Sequence, residues 1–228
     1  MVRALKNLRQ LWPSLSLVFL LTLATPASSQ TAIDQTDTQQ WNDVFIAVPI
    51  TKQVDFNVLG TLRIGRDISH TVDERFGVGA TFRIGQHVTL VPAYLHIETQ
   101  PFEGIRLHEE RLNLAAILRF EANQFRFSDR NLLERRFRRP GINSTRYRNR
   151  FQVEHPVGPD KMKLSVFVSE EVFYDWSVDD WVRNRVAAGI IKPLNKNLTL
   201  ELYYLRQNDG RALPGDVHVI GTTWRIKL

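Results

Sequence analysis

The most constraining feature of this chain is a two-residue alternation of apolar and polar side chains that recurs along most of its length. In residues 54–64, 75–84 and 111–121 the even positions are almost all apolar, and the odd positions are mostly charged, polar or small. A helix would instead repeat its apolar positions every 3.6 residues. Further runs cover 41–49, 87–98, 124–138, 145–155, 161–173, 182–192, 196–207 and 216–228. The alternation therefore predicts β-strands throughout the chain after residue 40.

The connections between these eleven runs predict an up-and-down order of neighbouring strands. Short connections such as 49–52 and 85–86 alternate with longer ones such as 99–108 and 208–215. A repeat of hairpin length is also present, because an arginine opens one strand of each successive hairpin, at Arg75, Arg111, Arg150 and Arg185. Regular hairpins of this kind are typical of antiparallel meanders that close into a barrel.

The first 29 residues have the composition of a secretory signal peptide. A positively charged start is followed by an apolar run at 15–24 and by small residues at 27–29. Because this run is too short to cross a bilayer of about 30 Å as a helix, we expect cleavage after Ser29 rather than an uncleaved anchor. Cleavage removes three Lys or Arg residues and no acid, so the formal charge falls from +6 to +3 in the mature chain, residues 30–228.

Two kinds of closed β-structure are compatible with this alternation. A soluble barrel or sandwich buries its apolar face, whereas an outer-membrane barrel turns that face to lipid and keeps polar groups in the lumen. Most runs match a tilted bilayer crossing of about 9–11 residues better than the roughly 5–6 residues of soluble strands. Aromatic residues near strand ends suit interfacial girdles; they are Trp41, Phe102, Tyr147, Tyr174, Trp176, Trp181, Tyr203, Tyr204 and Trp224. With the export signal, these features predict an all-β, antiparallel up-and-down transmembrane β-barrel in the bacterial outer membrane.

The number of strands is predicted to be about 10–12. Bacterial barrels normally have an even number of strands, yet eleven runs are present. Either residues 30–40 cross the membrane or lumen, or one run is not a spanning strand; in the latter case residues 30–40 are an unstructured lead-in. A barrel of this size filled with long side chains leaves a narrow lumen at most, which argues against a general porin.

Several segments resemble one bacterial family. They are 129–137 (DRNLLERRF), 146–150 (RYRNR), 169–173 (SEEVF), 183–185 (RNR) and 203–205 (YYL). These segments are similar to the domain of unknown function 2490 family, a group of predicted outer-membrane β-barrels, and the resemblance covers essentially all of the mature chain. The resemblance implies a barrel fold and an outer-membrane location. It implies no activity and no catalytic residue.

Arginine is concentrated on the strand face that would line the lumen. By parity, this face carries Arg63, Arg75, Arg83, Arg111, Arg119, Arg126, Arg130, Arg136, Arg138, Arg146, Arg148, Arg150, Arg183, Arg185 and Arg225. The candidate partners are Asp43, Asp55, Asp73, Glu109, Glu121, Glu134, Glu154, Glu171 and Glu201. Guanidinium groups pair carboxylates bidentately, and an unpaired buried charge is costly. This favours a structural salt-bridge network over the alternative, a narrow passage that prefers anions because arginine is in excess.

The six histidines of the chain are the candidates for a catalytic base. His108 beside Glu109 and Glu110 could act as a base, but no G-x-S-x-G sequence and no second histidine of a zinc helix motif accompany it. We therefore expect a non-enzymatic barrel, with a lipase or acyltransferase of the outer membrane as the alternative. The absence of cysteine excludes disulfides and thiolate metal sites. No cofactor and no metal site is predicted.

The expected partners follow from the membrane location. The final strand, with Trp224, Ile226 and Leu228 on one face, is similar to the terminal signal that barrel-insertion machinery reads. Outer-membrane lipid and lipopolysaccharide are the other expected partners, and a lipopolysaccharide-binding barrel is a further alternative. The basic cluster 135–139 lies within alternating strands, so its charges are expected to be paired or solvated rather than to bind nucleic acid. The oligomeric state stays open.

Overall fold

The computed structural model describes residues 36–212 and 214–228, and the predicted signal peptide lies outside these residues. A short 3-10 helix, Asp160–Met162, accompanies the strands. The strands are β1 (Thr36–Pro49), β2 (Val54–Gly65), β3 (His70–Ile84), β4 (Val88–Phe102), β5 (Ile105–Ala122), β6 (Phe125–Arg139), β7 (Ser144–Val157), β8 (Leu164–Asp175), β9 (Asp180–Pro193), β10 (Leu198–Asp209) and β11 (Asp216–Lys227). Among the described residues, no helix has the length and hydropathy needed to cross a bilayer.

Each of the eleven alternating runs forms one strand, and the strands close into a barrel in sequence order. This confirms the all-β barrel. Neighbouring strands are antiparallel except β1 and β11, which are parallel from the pair Thr36–Asp216 to the pair Ala47–Lys227. In an up-and-down order an odd number of strands leaves the first and the last pointing the same way, so closure requires a parallel pair. The expectation of an even number is wrong, and residues 36–40 belong to β1.

The connections are short at both ends of the barrel, which differs from the predicted alternation of turns and longer loops. The predicted loop at 99–108 is a continued hairpin, in which Glu98 pairs with His108 and Phe102 with Ile105. Pairing extends the strands past the alternating runs because each hairpin partner satisfies the backbone groups of the other. We call the end that holds the turn at 103–104 the upper rim and the end that holds the turn at 123–124 the lower rim.

The alternation places apolar side chains on the outer face of the barrel. Phe76, Leu114, Val168 and Ile220 all point outward from different strands and are 57%, 52%, 57% and 60% exposed. On the same strands the intervening residues point into the lumen, as expected from the two-residue period of a strand. The barrel is therefore apolar outside, and its interior combines charged side chains with a buried apolar cluster that includes Trp41, Phe167 and Val219.

Two aromatic residues that the sequence assigned to the girdles face the lumen instead. Trp41 is 4% exposed, and its Nε1 donates to Oε1 of Gln39 at 2.7 Å, on the inner face of β1. The ring of Tyr203 lies across Gly221 of β11, where an added Cβ would be 2.0 Å from Tyr203 Cζ. Only glycine allows this close approach of ring and backbone.

The parallel closure can be tested with a disulfide, since the chain has no cysteine of its own. Gln40 and Ile220 are register partners in β1 and β11. Paired strand residues lie within reach of a disulfide, which needs Cα atoms roughly 4.4–6.8 Å apart. We expect the Gln40→Cys/Ile220→Cys variant to form an intramolecular disulfide, seen as altered mobility on a non-reducing denaturing gel.

The matched control is Gln40→Cys with Ile226→Cys, which moves the second thiol six residues along β11. At about 3.3 Å per residue this separation is about 20 Å, too far for a disulfide. Cross-linking of both pairs to the same extent, or of neither pair, would contradict the β1–β11 closure.

Candidate functional site

The interior of the barrel is lined by arginine. All fifteen arginines that the sequence placed on the lumenal face border interior cavities, one toward the upper rim, one at mid-height and one toward the lower rim. Seven of the nine expected acidic partners form ion pairs with them: Asp55, Asp73, Glu109, Glu134, Glu154, Glu171 and Glu201. Among the described residues, Asp43 and Glu121 form no ion pair; Asp43 instead accepts a hydrogen bond from Thr61 Oγ1 at 2.6 Å.

Glu134 is the most enclosed charge of this network, with 0% of its surface exposed. Its Oε1 accepts from Arg111 at 3.1 Å and from Arg148 at 2.7 Å, and its Oε2 accepts from Nε of Arg146 at 2.7 Å. The carboxylate on β6 is thus held by one arginine from β5 and two from β7. A buried carboxylate with three guanidinium donors has its lone pairs well satisfied, which is the condition for burying charge.

Glu171 on β8 extends the network to the next strands. Its Oε1 accepts from Arg130 at 2.5 Å and from Arg148 at 2.7 Å, and its Oε2 lies 3.6 Å from Arg185. Arg148 therefore joins Glu134 to Glu171. This ladder crosses β5 to β9, the segment in which the sequence concentrates its arginines.

A second cluster lies toward the upper rim. Arg136 pairs bidentately with Glu109 at 2.9 and 2.8 Å, and Nε of Arg111 donates to the same carboxylate at 2.7 Å. Asp175 lies 3.6 Å from both Arg136 and Arg138. Arg111 takes part in both clusters, so the upper and central groups form one continuous network.

Three acidic residues of the interior were missed by the sequence reasoning. Arg183 pairs with Asp209 at 2.5 Å, Asp175 meets Arg136 and Arg138, and Asp37 is buried beside Gln39. Asp175 and Asp209 lie two residues beyond the ends of the alternating runs, although they continue the inner parity of those runs. With these three, fifteen arginines face twelve acids in the barrel wall, and the arginine excess is half of that expected.

Two aromatic rings pack among the guanidinium groups. Phe173 is 0% exposed. Four guanidinium carbons lie over its ring, those of Arg146, Arg148, Arg183 and Arg185, at 5.1, 4.6, 5.5 and 4.8 Å from the centroid. Cations over an aromatic face are attracted by its quadrupole, most strongly where water is excluded. Phe173 thus neutralises no charge but fills the space between like-charged groups.

Trp41 makes the same kind of contact on the opposite wall. It is placed between Arg63 and Arg185, whose guanidinium carbons are 3.7 and 4.8 Å from its ring. Arg185 contacts both Trp41 and Phe173, so it links β1 to β8 across the interior. The two rings and the arginines between them form a layer that spans the lumen, which we call the central layer.

The cavities lie on both sides of this layer. The cavity toward the upper rim has a volume of about 1120 Å³, the middle one about 550 Å³ and the lower one about 830 Å³. The residues that border both the upper and the middle cavity are Trp41, Arg63, Arg75, Arg111, Arg148 and Arg185. These side chains, most of them in the central layer, therefore lie where the upper cavity meets the middle one.

Two arginines stand apart from the carboxylates. In the described part of the chain no acidic group lies within ion-pair distance of Arg119 or Arg150. Arg119 donates to Thr89 at 3.1 Å and Arg150 to Gln152 at 2.6 Å. Both border the middle and lower cavities. Of the fifteen lumenal arginines, the two without an ion pair among the described residues therefore lie below the central layer.

His108, the histidine weighed as a general base, is on the outer face of β5 and not in the lumen. It contacts Glu98 at 2.7 Å and Glu110 at 2.8 Å, both of which also face outward. Glu109, its neighbour in the sequence, points inward to Arg111 and Arg136. Of the two glutamates that the sequence placed beside His108, the parity of the strand therefore keeps Glu110 on the same face and turns Glu109 into the lumen.

Comparison with known protein families identifies one family whose model matches this chain. The family model described as "Protein of unknown function (DUF2490)" matches residues 38–216, which include fourteen of the fifteen lumenal arginines and ten of the eleven strands in full or nearly so. The chain belongs to this family. No curated protein matches the chain.

Among solved structures, the DUF2490 chain is similar to the anion-selective porin from Comamonas acidovorans. The identity is 12% and the TM-score is 0.41, over 78% of this chain and 53% of the porin chain. The chain therefore spans about half the length of that porin.

The network predicts that Glu134 is essential for stability. Glu134→Gln removes the negative charge that Arg111, Arg146 and Arg148 share and leaves uncompensated buried cations. Breaking a buried ion pair in this way destabilises by about 3–5 kcal/mol. We expect the free energy of unfolding in urea, followed by tryptophan fluorescence of the protein in lipid or detergent, to fall by that amount.

Glu121→Gln is the matched control, because Glu121 is exposed and makes no ion pair among the described residues. A surface substitution of this kind changes stability by about 0.5 kcal/mol or less. Equal effects of the two substitutions would show that the buried carboxylate does not hold the network together.

Proposed function

We propose that this protein is an integral outer-membrane β-barrel whose lumen is sealed by the arginine–carboxylate network, a structural barrel rather than a diffusion pore. One observation carries the proposal: a single closed sheet has an exposed apolar outer face and a charged inner face. A soluble barrel has the opposite arrangement, whereas a barrel in lipid needs this one.

The extent of the apolar outer face supports a bilayer crossing. Toward the lower rim the outward residues of β3, β5 and β6 stay apolar up to the strand ends, at Ile84, Phe120 and Phe125. Toward the upper rim they become charged, at Glu98, Glu110, Arg135 and Arg206. Strands of 12–18 residues exceed the roughly 9–11 needed for a tilted crossing, so the upper ends project beyond the apolar belt.

A polar group interrupts the belt on β6 and β7. Asn149 Nδ2 donates to Asp129 at 2.6 Å and to Asn131 at 3.2 Å, and the hydroxyl of Tyr147 also donates to Asn131. Polar atoms facing lipid are costly unless they are hydrogen-bonded. These four side chains satisfy one another within the surface, which lowers that penalty and keeps the belt compatible with lipid.

The sealed lumen rests on the central layer. Phe173 and Trp41 are almost fully enclosed. Of the arginines beside them, Arg146, Arg148 and Arg185 pair with Glu134 or Glu171, and Arg63 and Arg183 pair with Asp73 and Asp209. A barrel of this size already has little free interior, and open aqueous channels belong to barrels of 16–18 strands. The cavities above and below the layer are accordingly vestibules rather than parts of a continuous wide pore.

The membrane location predicts heat-modifiable behaviour. Folded outer-membrane barrels resist denaturation by detergent at room temperature because all backbone groups of the closed sheet are paired. We expect the expressed protein to fractionate with outer membranes, to resist carbonate extraction, and to migrate differently on a gel before and after boiling. Full carbonate extraction with identical mobility would contradict the proposal.

The sealed lumen predicts no porin-like conductance in planar bilayers. The double variant Trp41→Ala/Phe173→Ala removes the two rings of the central layer, so we expect it to open steps of conductance that the unaltered protein lacks. Phe76→Ala, which removes a ring of similar size from the outer face, is the control and is expected to stay closed. Anion preference in the opened variant would follow from the arginine excess.

The second candidate is a narrow anion-favouring channel, and the free guanidinium groups of Arg119 and Arg150 favour it. If the unaltered protein conducts anions, and Arg119→Gln or Arg150→Gln lowers that anion preference, the channel replaces the sealed barrel as the better account. Steady conductance that the two arginine variants leave unchanged would contradict both candidates.

A further inference from the structure

Four side chains on the outer face near the upper rim form a closed ring of histidine and glutamate. His96 and Glu98 lie on β4, and His108 and Glu110 lie on β5. Register places His96 opposite Glu110 and Glu98 opposite His108. Each histidine therefore has a glutamate beside it on its own strand and another across the hairpin. We call these four residues the His–Glu quartet.

The contacts within the quartet are short. Nδ1 of His108 lies 2.7 Å from Glu98 Oε1, and its Nε2 lies 2.8 Å from Glu110 Oε1. Nδ1 of His96 lies 3.0 Å from Glu110 Oε1, and its Nε2 lies 3.4 Å from Glu98 Oε1. The two imidazole rings are 4.6 Å apart. Two carboxylate oxygens thus face all four ring nitrogens.

This arrangement has a mismatch of hydrogen-bonding groups when the imidazoles are neutral. A neutral imidazole has one N–H donor and one bare nitrogen, and a carboxylate only accepts. One nitrogen of each ring then points its lone pair at a carboxylate oxygen. A cation held between these lone pairs removes the mismatch, and a divalent cation balances the two glutamate charges.

We propose that the His–Glu quartet is a binding site for a divalent metal of the zinc class. One ligand atom each from His96, Glu98 and His108 lies within 4.8 Å of the others. Tetrahedral zinc with bonds of about 2.0–2.2 Å needs ligand atoms about 3.3 Å apart. The nitrogen–oxygen contacts of Glu98 with His96 and His108, at 3.4 and 2.7 Å, are close to that separation. Imidazole and carboxylate are ligands that zinc accepts, whereas calcium and magnesium prefer all-oxygen sites.

The surroundings of the quartet suit a structural metal. Glu110 also accepts a hydrogen bond from the hydroxyl of Tyr94, which fixes the orientation of that carboxylate. All four side chains are partly exposed, so a metal can enter from water above the apolar belt. His96, Glu98 and His108 supply ligand atoms from both strands, and Glu110, which contacts both imidazoles, orients them. The metal would therefore tie β4 to β5 near their turn.

The sequence carries a signal for this site that only pairing makes readable. The pattern His-x-Glu occurs twice, at 96–98 and at 108–110. The two-residue spacing puts each pair on one strand face, and antiparallel pairing reverses the order of the second pair. Two histidines and two glutamates twelve residues apart thus converge at one place.

The site can be tested by calorimetric titration of the purified, folded barrel with Zn²⁺ at neutral pH. We expect one zinc per chain for the unaltered protein, and affinity lowered by more than about tenfold in His96→Ala and in His108→Ala. His218→Ala is the control: His218 is another outer-face histidine, which contacts Tyr204 at 2.6 Å. Its affinity should equal that of the unaltered protein.

Two further measurements distinguish binding at the quartet from non-specific binding of zinc to the protein surface. Co²⁺ in place of zinc should give the intense visible absorption of tetrahedral coordination, lost in both quartet variants. Zinc affinity should also fall as the pH is lowered, because protons compete with the metal for the imidazole nitrogens. Heat-modifiable mobility of each variant verifies that its barrel is folded.

Three outcomes would overturn the proposal. They are the absence of stoichiometric zinc binding by the unaltered folded protein, unchanged affinity in both quartet variants, and an equal loss in His218→Ala. In the first case the quartet is held by imidazolium–carboxylate pairs alone.

Discussion

The pairing of buried guanidinium groups with carboxylates is the interaction on which this barrel depends. Closing a sheet with fifteen inward arginines brings like charges together in a space that holds little water, where each unpaired charge is costly. Glu134, Glu171 and Glu109 remove this difficulty because each accepts from several arginines at once. Shared carboxylates let the wall carry more cations than anions and still satisfy most of their donors.

The aromatic rings of the interior fill the space between neighbouring guanidinium groups. Guanidinium groups repel one another, yet they are flat and pack well on rings. Phe173 and Trp41 fill the gaps between them and provide a surface that each cation can approach. The ion pairs and the rings together therefore pack the central layer closely. This layer is the reason for proposing a sealed barrel. Arg119 and Arg150, which form no ion pair among the described residues, border the cavities below it.

The outer face shows how strand pairing assembles chemistry from separated residues. The polar group on β6 and β7 and the His–Glu quartet on β4 and β5 each draw on two strands. In both, the side chains face away from the lumen and satisfy one another. The first keeps polar atoms acceptable within the apolar belt, and the second brings metal-ligating atoms to the rim. Neither group of side chains can be recognised from the sequence of one strand alone.

The sequence by itself determined the strands, their two faces and the arginine lining, because a two-residue period is a local property of the chain. It could not determine where strands end, and so it missed Asp175 and Asp209, which pairing with neighbouring strands draws into the wall. Trp41 and Tyr203 were misplaced in the girdles because inward rings need the cations or the glycine of another strand beside them. The parallel β1–β11 closure and the His–Glu quartet were decided by the tertiary structure, since register between strands depends on the whole closed sheet.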